Sequence, residues 1–324
     1  MKILEGLRAL GRLKAGGSRR TESGWFVMTF GGDALDYVHC RRADSGKPAV
    51  TRCGRFDLAA ARGDAARVSR DLHLERYQCA TLLAPRDYQL LLVDAPNVPQ
   101  AELKTAIRWH VKNLLDYHVD DATVDVLDIP RDPSRASGTH SMYAVTAKNE
   151  TIKACIDRFD QHKLPLAVID ISETAQRNVA SLYETDARGV ALLYLTAEQG
   201  LLTVSCGGEL YLARRIEAGT DQLRNATAAQ REEVFNRIVL ELQRTFDHFD
   251  RQFGYVRIGK ILLGPEPFDS GLAGFLGSNL DLPVERVRLS EVMDFEAGPA
   301  PGDEAQWRMF HLFGAALRQE SKVL

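Results

Sequence analysis

Two strand pairs that turn at glycines constrain the fold of this chain more than any other feature. Gly31-Gly32 and Gly207-Gly208 each separate two runs rich in β-branched, aromatic and other apolar residues. Short glycine turns between such runs predict β-hairpins, because glycine readily adopts positive φ. The paired runs are 25–30 with 36–42, and 201–206 with 210–216. Each half of the chain is therefore expected to begin a sheet from a hairpin, and a third strand is expected near 49–55.

A compact α+β subdomain is predicted between these halves, over residues 77–163. Its predicted order is β-β-α-β-β-α, beginning with a hairpin whose strands flank Pro85-Arg86-Asp87. The spacing of the apolar residues in its first helix predicts one buried face. That face consists of Leu103, Ala106, Ile107, Val111 and Leu114, with His110 on the same stripe as a packed or hydrogen-bonded residue.

Trp109 does not belong to that face. At about 100° per residue it projects almost opposite Ile107 and Val111. A large aromatic residue off the core face must pack on another element or on another molecule.

The longest predicted helix lies in the second half, at about 228–253. Thr227 and Gln230 have the spacing of a capping box at its start. Its broad apolar face indicates burial on two sides. Asp303 is expected to begin a last helix after the proline- and glycine-rich segment 296–303.

Composition sets the class of protein. The 324 residues suffice for about two domains, and 45% hydrophobic with 26% charged residues is ordinary for a globular protein. The formal net charge of -3 gives no case for nucleic acid. No run approaches the roughly 20 apolar residues of a membrane span. The cysteines contain no CxxC pair and suit free thiols in a reducing cytoplasm. They are Cys40, Cys53, Cys79, Cys155 and Cys206.

Residues 1–20 form a basic segment, part of a predicted N-terminal region 1–24. Their one acidic residue is Glu5, while six lysines and arginines alternate with leucines at near-helical spacing. Such a segment can lie on an anionic membrane surface. The alternative is a loosely held terminal helix that only aids solubility.

Catalytic and metal motifs are absent from the sequence. It contains no HExxH, GxSxG, Walker A or strand-linked GxGxxG pattern. Asp247, His248 and Asp250 are close in sequence, but such neighbours on a helix do not converge on one ion. No catalytic residue and no metal are expected. Gly31-Gly32-Asp33 fits either a phosphate-holding turn or a plain hairpin turn.

Phrases in order along nearly the whole chain resemble the PilM family of actin-like pilus-assembly proteins. They are 107–130, 166–183, 207–223, 238–253 and 305–318. The resemblance implies an α/β fold of two actin-like lobes, with the inserted subdomain of the branch that includes the cell-division protein FtsA. The implied division is 25–76 with 164–188 and 303–324 for the first lobe, 77–163 for the insertion and 189–302 for the second lobe.

Members of that family bind ATP through two glycine hairpins and an adenosine loop, and this chain departs from each motif. Gly31 and Gly32 remain in the first, where Thr29 replaces an aspartate and Asp33 adds negative charge. Residues 194–196, Tyr-Leu-Thr, replace the second Asp-Ile-Gly. Gly264 remains in the adenosine loop, followed by Pro265 and Glu266. The resemblance therefore implies a degenerate nucleotide site with no cofactor, and ATP with Mg²⁺ is the alternative.

The family's partner is the cytoplasmic tail of a PilN-like inner-membrane protein, held beside the inserted subdomain. Carried over, this makes Arg108, Trp109 and Lys112 the candidate contacts, unless Trp109 packs against a neighbouring subdomain. The resemblance implies a cytoplasmic pilus scaffold at the inner membrane, with an assembly ATPase as a further possible partner. The alternatives are an actin-like ATPase whose nucleotide switches partner binding, and a component of a type II secretion platform.

Overall fold

The computed structural model describes residues 22–42, 46–58, 65–132 and 140–319. Contacts divide the chain into two units. The first comprises Met1–Arg42, Thr51–Ser172 and Ala315–Leu324, and the second comprises Ala43–Val50 and Glu173–Gly314. The predicted basic segment 1–20 lies outside the described residues.

The first unit contains most strands of two sheets. Its strands are β1 (Trp25–Gly31), β2 (Ala34–Arg41), β3 (Ala49–Asp57), β4 (Gln78–Leu82), β5 (Gln89–Asp94), β6 (Ala122–Asp128), β7 (Ser141–Lys148) and β8 (Val168–Asp170). Its helices are α1 (Ala65–Asp71), α2 (Leu103–Val111) and α3 (Asn149–Gln161).

The larger sheet of this unit has the order β3-β2-β1-β4-β8. The predicted β1–β2 hairpin is confirmed, with Gly31 opposite Ala34. Strands β4 and β8 add in parallel on the other side of β1. Phe26, Met28 and Leu35 are fully buried with Phe159 of α3. Burial of side chains this large contributes roughly 1.5–3 kcal/mol each.

The hairpin predicted around Pro85 is wrong. Strand β4 pairs with β1 and β8, whereas β5 pairs antiparallel with β7. A 3₁₀ turn at Pro85–Asp87 thus connects two different sheets. Both runs are apolar, so the local pattern indicates two strands but not the distant segments with which they pair.

The inserted sheet has the order β5-β7-β6, with one helix on each face. Met142 and Ala144 of β7 pack against α2, and Val145 and Ala147, which point the other way, pack with Ile152 of α3. Asn149 is the first residue of α3. Its side-chain amide donates to the Asp120 carbonyl at 3.0 Å and its oxygen accepts from the Thr123 hydroxyl at 2.7 Å.

The second unit is built on a five-stranded sheet of order β11-β10-β9-β12-β13. The strands of this sheet are β9 (Gly189–Leu195), β10 (Gly200–Cys206), β11 (Glu209–Ile216), β12 (Ile258–Leu263) and β13 (Val284–Arg286). A short strand β14 (Asp294–Phe295) pairs in parallel with Ala49 and Val50 of β3 and so extends the larger sheet to six strands. The helices from here on are α4 (Ser172–Ala180), α5 (Thr220–Arg224), α6 (Ala228–Gln252), α7 (Leu272–Asn279), α8 (Leu289–Val292) and α9 (Asp303–Ala316).

The predicted second hairpin and long helix are confirmed. Strands β10 and β11 pair about Gly207-Gly208, and both residues have positive φ. The capping box of α6 is present in both directions between Thr227 and Gln230. Within the described residues, no helix combines the length and the apolar character needed to cross a membrane.

The central strand β9 is buried along its whole length. Gln176 of α4 fixes the sheet beneath it. The side-chain amide of Gln176 donates to the carbonyls of Leu192 and Leu201 and to the Thr203 hydroxyl at 2.6–3.0 Å. These buried bonds hold α4 in place against the sheet.

Candidate functional site

Helix α2 is anchored by three apolar residues spaced four apart. Leu103, Ile107 and Val111 are buried and pack with Val93, Met142 and Ala144 of the inserted sheet. This packing fixes which face of the helix points away from the sheet.

That outward face carries Trp109. The side chain of Trp109 is 63% exposed, as the helical spacing predicts. Leu114 follows it at 54% exposure, and Leu92 of β5 is also exposed. Exposed apolar side chains of this size make this part of the surface a candidate for interaction with another molecule. The alternative, in which Trp109 packs within the chain, does not fit this exposure.

Two predictions for α2 are wrong. His110 and Leu114, expected on the buried face, are both exposed. The helix ends at Val111, so Leu114 lies in the turn beyond it, where helical spacing no longer applies. His110 lies three residues after Ile107, at the flank of a stripe in which only every fourth residue is buried.

The basic residues of α2 divide into two groups. Arg108 donates to the Ala122 carbonyl at 3.1 Å and lies 3.8 Å from Asp120, so it fastens the helix to the start of β6. Lys104 forms a 2.8 Å ion pair with the buried carboxylate of Asp125. The Lys112 ammonium lies 5.6 Å from the centroid of the Trp109 ring. Of the three candidates, Trp109 and Lys112 are thus exposed beside each other, and Arg108 is mostly engaged in bonds within the chain.

The first glycine turn lies in the first unit. Gly31, Gly32 and Asp33 are exposed, and Gly32 has a φ of +61°. Arg55 lies beside the turn, 3.4 Å from the buried Asp36 carboxylate and 3.5 Å from the Gly31 carbonyl. Arg55 is thus already paired, and Asp33 adds a negative charge to the turn, which opposes the binding of an anion there.

Residues 194–196, which replace the second nucleotide motif, bond to and pack against aromatic residues of α9. The Tyr194 hydroxyl donates to the Trp307 carbonyl at 2.6 Å, and the Trp307 indole donates to the Leu195 carbonyl at 2.7 Å. The Tyr194 ring stacks on Phe310 at 4.7 Å between centroids. Burial raises the pKa of Tyr194. No carboxylate stands here to hold a metal ion, and no metal-holding group of His, Cys, Asp and Glu occurs elsewhere in the described residues.

The residues of the predicted adenosine loop also bond and pack within the chain. The Gly264 amide donates to the Leu193 carbonyl at 2.8 Å, and a Cβ at Gly264 would lie 2.8 Å from Cδ2 of Tyr194. Glu266 is buried, accepts a hydrogen bond from the Ser270 hydroxyl and lies 3.6 Å from Arg286. Burial raises the pKa of Glu266. Gly264 therefore makes room for an aromatic ring.

Sequence reasoning missed the roles of Tyr194 and Trp307. Tyr194 belongs to a strand that is apolar throughout, and Trp307 to a helix with several aromatic residues. Nothing in either local pattern shows that the Tyr194 hydroxyl would bond the Trp307 carbonyl, or the Trp307 indole the Leu195 carbonyl.

Several solved structures are similar to this chain. A chain of the PilM-PilN type IV pilus biogenesis complex matches with a TM-score of 0.68 at 19% identity, covering 92% of this chain and 97% of that one. The cytoplasmic domain of EpsL, an inner membrane component of the type II secretion system of Vibrio cholerae, matches at 0.44 and 12%, covering 91% and 94%. A Bacteroides thetaiotaomicron protein with actin-like ATPase fold and unknown function matches at 0.47 and 8%, covering 85% and 93%.

No protein-family model and no curated protein sequence matches this chain. The chain has the actin-like fold, as the resemblance of its sequence implied.

Proposed function

We propose that this protein is a cytoplasmic scaffold of a type IV pilus assembly machine, which binds the cytoplasmic tail of a PilN-like inner-membrane protein. The fold shared with a chain of the PilM-PilN complex supports this proposal, together with the PilM-like sequence phrases. Within the PilM family, we take those phrases to resemble MshI, the biogenesis protein of the mannose-sensitive haemagglutinin pilus. The proposed setting is therefore an MSHA-like system, with the protein held at the inner face of the inner membrane by its partners.

The exposure of Trp109 is the observation that carries the partner site. Its helix is fixed from below by Leu103, Ile107 and Val111, so the ring is presented without rearrangement. Tryptophan is enriched at the centre of protein interfaces, where its truncation costs at least about 2 kcal/mol. The proposed contact is Trp109 with Lys112, extended by Leu114 and oriented by Arg108.

Three observations support a degenerate nucleotide site. Asp33 places a negative charge on the first turn. The Trp307 indole is hydrogen-bonded to the Leu195 carbonyl in the segment that replaces the second motif, and the buried Glu266 lies two residues after Gly264. Negative side chains at a phosphate position oppose binding of a polyanion. The proposed scaffold is accordingly a pseudo-ATPase.

Titration calorimetry with ATP and Mg²⁺ tests this part of the proposal. We expect no measurable heat of binding. Micromolar affinity would instead favour the actin-like ATPase whose nucleotide state switches partner binding.

The partner site is tested by co-purification with a tagged PilN-like protein. Trp109→Ala should weaken binding by about 30-fold, the equivalent of about 2 kcal/mol. The substitution should change the free energy of unfolding by less than about 0.5 kcal/mol, because the side chain is largely exposed. Lys153→Ala, which truncates an exposed side chain of α3 on the other face of the inserted sheet, is the control. Undiminished binding by folded Trp109→Ala would remove Trp109 from the site.

A further inference from the structure

A second candidate interaction surface lies in the second unit. It is a groove of about 660 Å³ between the last turns of α6, the start of β12 and the end of α7. Phe246, Val256, Leu280 and Leu282 supply its apolar lining, and all four are buried or half-buried.

Leu240 extends the groove along α6. It is the one large apolar side chain of this unit that is prominently exposed among the described residues, at 45%. Helical spacing places it on the same face as Gln243 and Asp247, which line the groove. From Leu240 to Asp250 the face runs about 15 Å at the α-helical rise. The surface is therefore an elongated strip, with an apolar lining in the groove and exposed polar side chains along α6.

The rim of the strip is acidic. Asp247, Asp250 and Asp281 line it against a single cation, Arg257. None of the three aspartate side chains forms an ion pair within the described ranges, whereas nearby Glu241 and Glu285 pair with Arg214 and Lys260. The rim carboxylates are also not grouped closely enough to hold a metal ion. An elongated cationic ligand fits this rim.

The sequence contains a segment with these properties. Residues 1–20 carry six basic residues and one acidic residue, with Ile3, Leu4, Leu7, Leu10 and Leu13 between them. The leucines of this segment suit the apolar lining of the groove, and its lysines and arginines suit the acidic rim.

We propose that residues 1–20 of one copy of this protein dock in the α6–α7 groove of a second copy. The contact joins two different surfaces, so it adds copies head to tail. This self-association does not depend on the proposed partner, because Trp109 lies in the first unit and the groove in the second.

Sedimentation velocity of the full chain over a concentration series tests the proposal. The weight-average mass should rise with concentration and fall back at high salt, which screens the charges. Asp247→Lys with Asp250→Lys, and separately Arg8→Glu with Arg12→Glu, should each weaken association by about tenfold or more. Combining all four substitutions should restore association, because the charges are then exchanged.

Glu232→Lys with Glu233→Lys is the matched control, since it makes the same charge change on α6 outside the groove. Association of this control should be unchanged. A mass independent of concentration, or a fourfold variant no better than either double variant, would overturn the proposal. So would a result in which the Arg8/Arg12 variant loses only binding to anionic phosphatidylglycerol vesicles, because the segment would then bind membrane.

Discussion

Substitution of Gly264 by alanine tests whether this glycine is kept for packing on Tyr194. The new Cβ would lie 2.8 Å from Cδ2 and 3.2 Å from Cβ of Tyr194. The ring cannot easily move away, because its hydroxyl bonds the Trp307 carbonyl and its face stacks on Phe310. Overpacking of this kind costs about 1–3 kcal/mol, and reduced chain entropy offsets about 0.4–1 kcal/mol of it. We expect Gly264→Ala to destabilise the second unit by about 1–2 kcal/mol.

The same substitution should be harmless once the ring is gone. In a Tyr194→Ala background, Gly264→Ala should be neutral or stabilising by about 0.5 kcal/mol, a coupling of about 2 kcal/mol in a double-mutant cycle. Urea unfolding followed by Trp307 fluorescence measures both values, with Trp25 and Trp109 replaced by phenylalanine so that only the second unit reports. An equal cost in both backgrounds would refute the packing explanation.

Three further predictions concern stability. Arg318→Met should lower the free energy of unfolding by about 3–5 kcal/mol, because it removes the cation that lies 2.7 Å from the Asp170 carboxylate, which is only 2% exposed. Adding Asp170→Asn should recover part of this loss, as measured by urea unfolding. Ala187→Gly should stabilise the chain by about 0.5–1 kcal/mol in thermal unfolding, because Ala187 has a φ of +55°. Burial lowers the pKa of His39 from 6.5 to about 4. The neutral ring therefore contributes stability on the order of 3 kcal/mol, which is fully present above pH 6.5 and is lost as the pH falls towards 4. His39→Gln should reduce the dependence of the unfolding free energy on pH in this range. An unchanged pH dependence would contradict the role of His39.

The sequence predicts local structure where one short pattern determines it. The Gly31-Gly32 and Gly207-Gly208 turns, the capping box of Thr227 and the outward position of Trp109 each follow from spacing within a few residues, and all are confirmed. The actin-like fold followed from resemblance along the whole chain.

The failures share a physical cause. The pairing of β4 with β1 and β8 depends on segments far away in sequence, so a local pattern cannot distinguish it from a hairpin with β5. Leu114 was assigned to a helix that ends three residues earlier. The bonds of Tyr194 and Trp307 unite residues more than a hundred positions apart, and no local pattern contains them.

Titration of the full chain with the cytoplasmic tail of its PilN-like protein, with and without ATP and Mg²⁺, tests the central proposal most directly. We expect the same dissociation constant in both conditions, and a loss of about 30-fold in Trp109→Ala under either. Binding that requires ATP, or that is unchanged in Trp109→Ala, would contradict a nucleotide-independent scaffold that uses this surface.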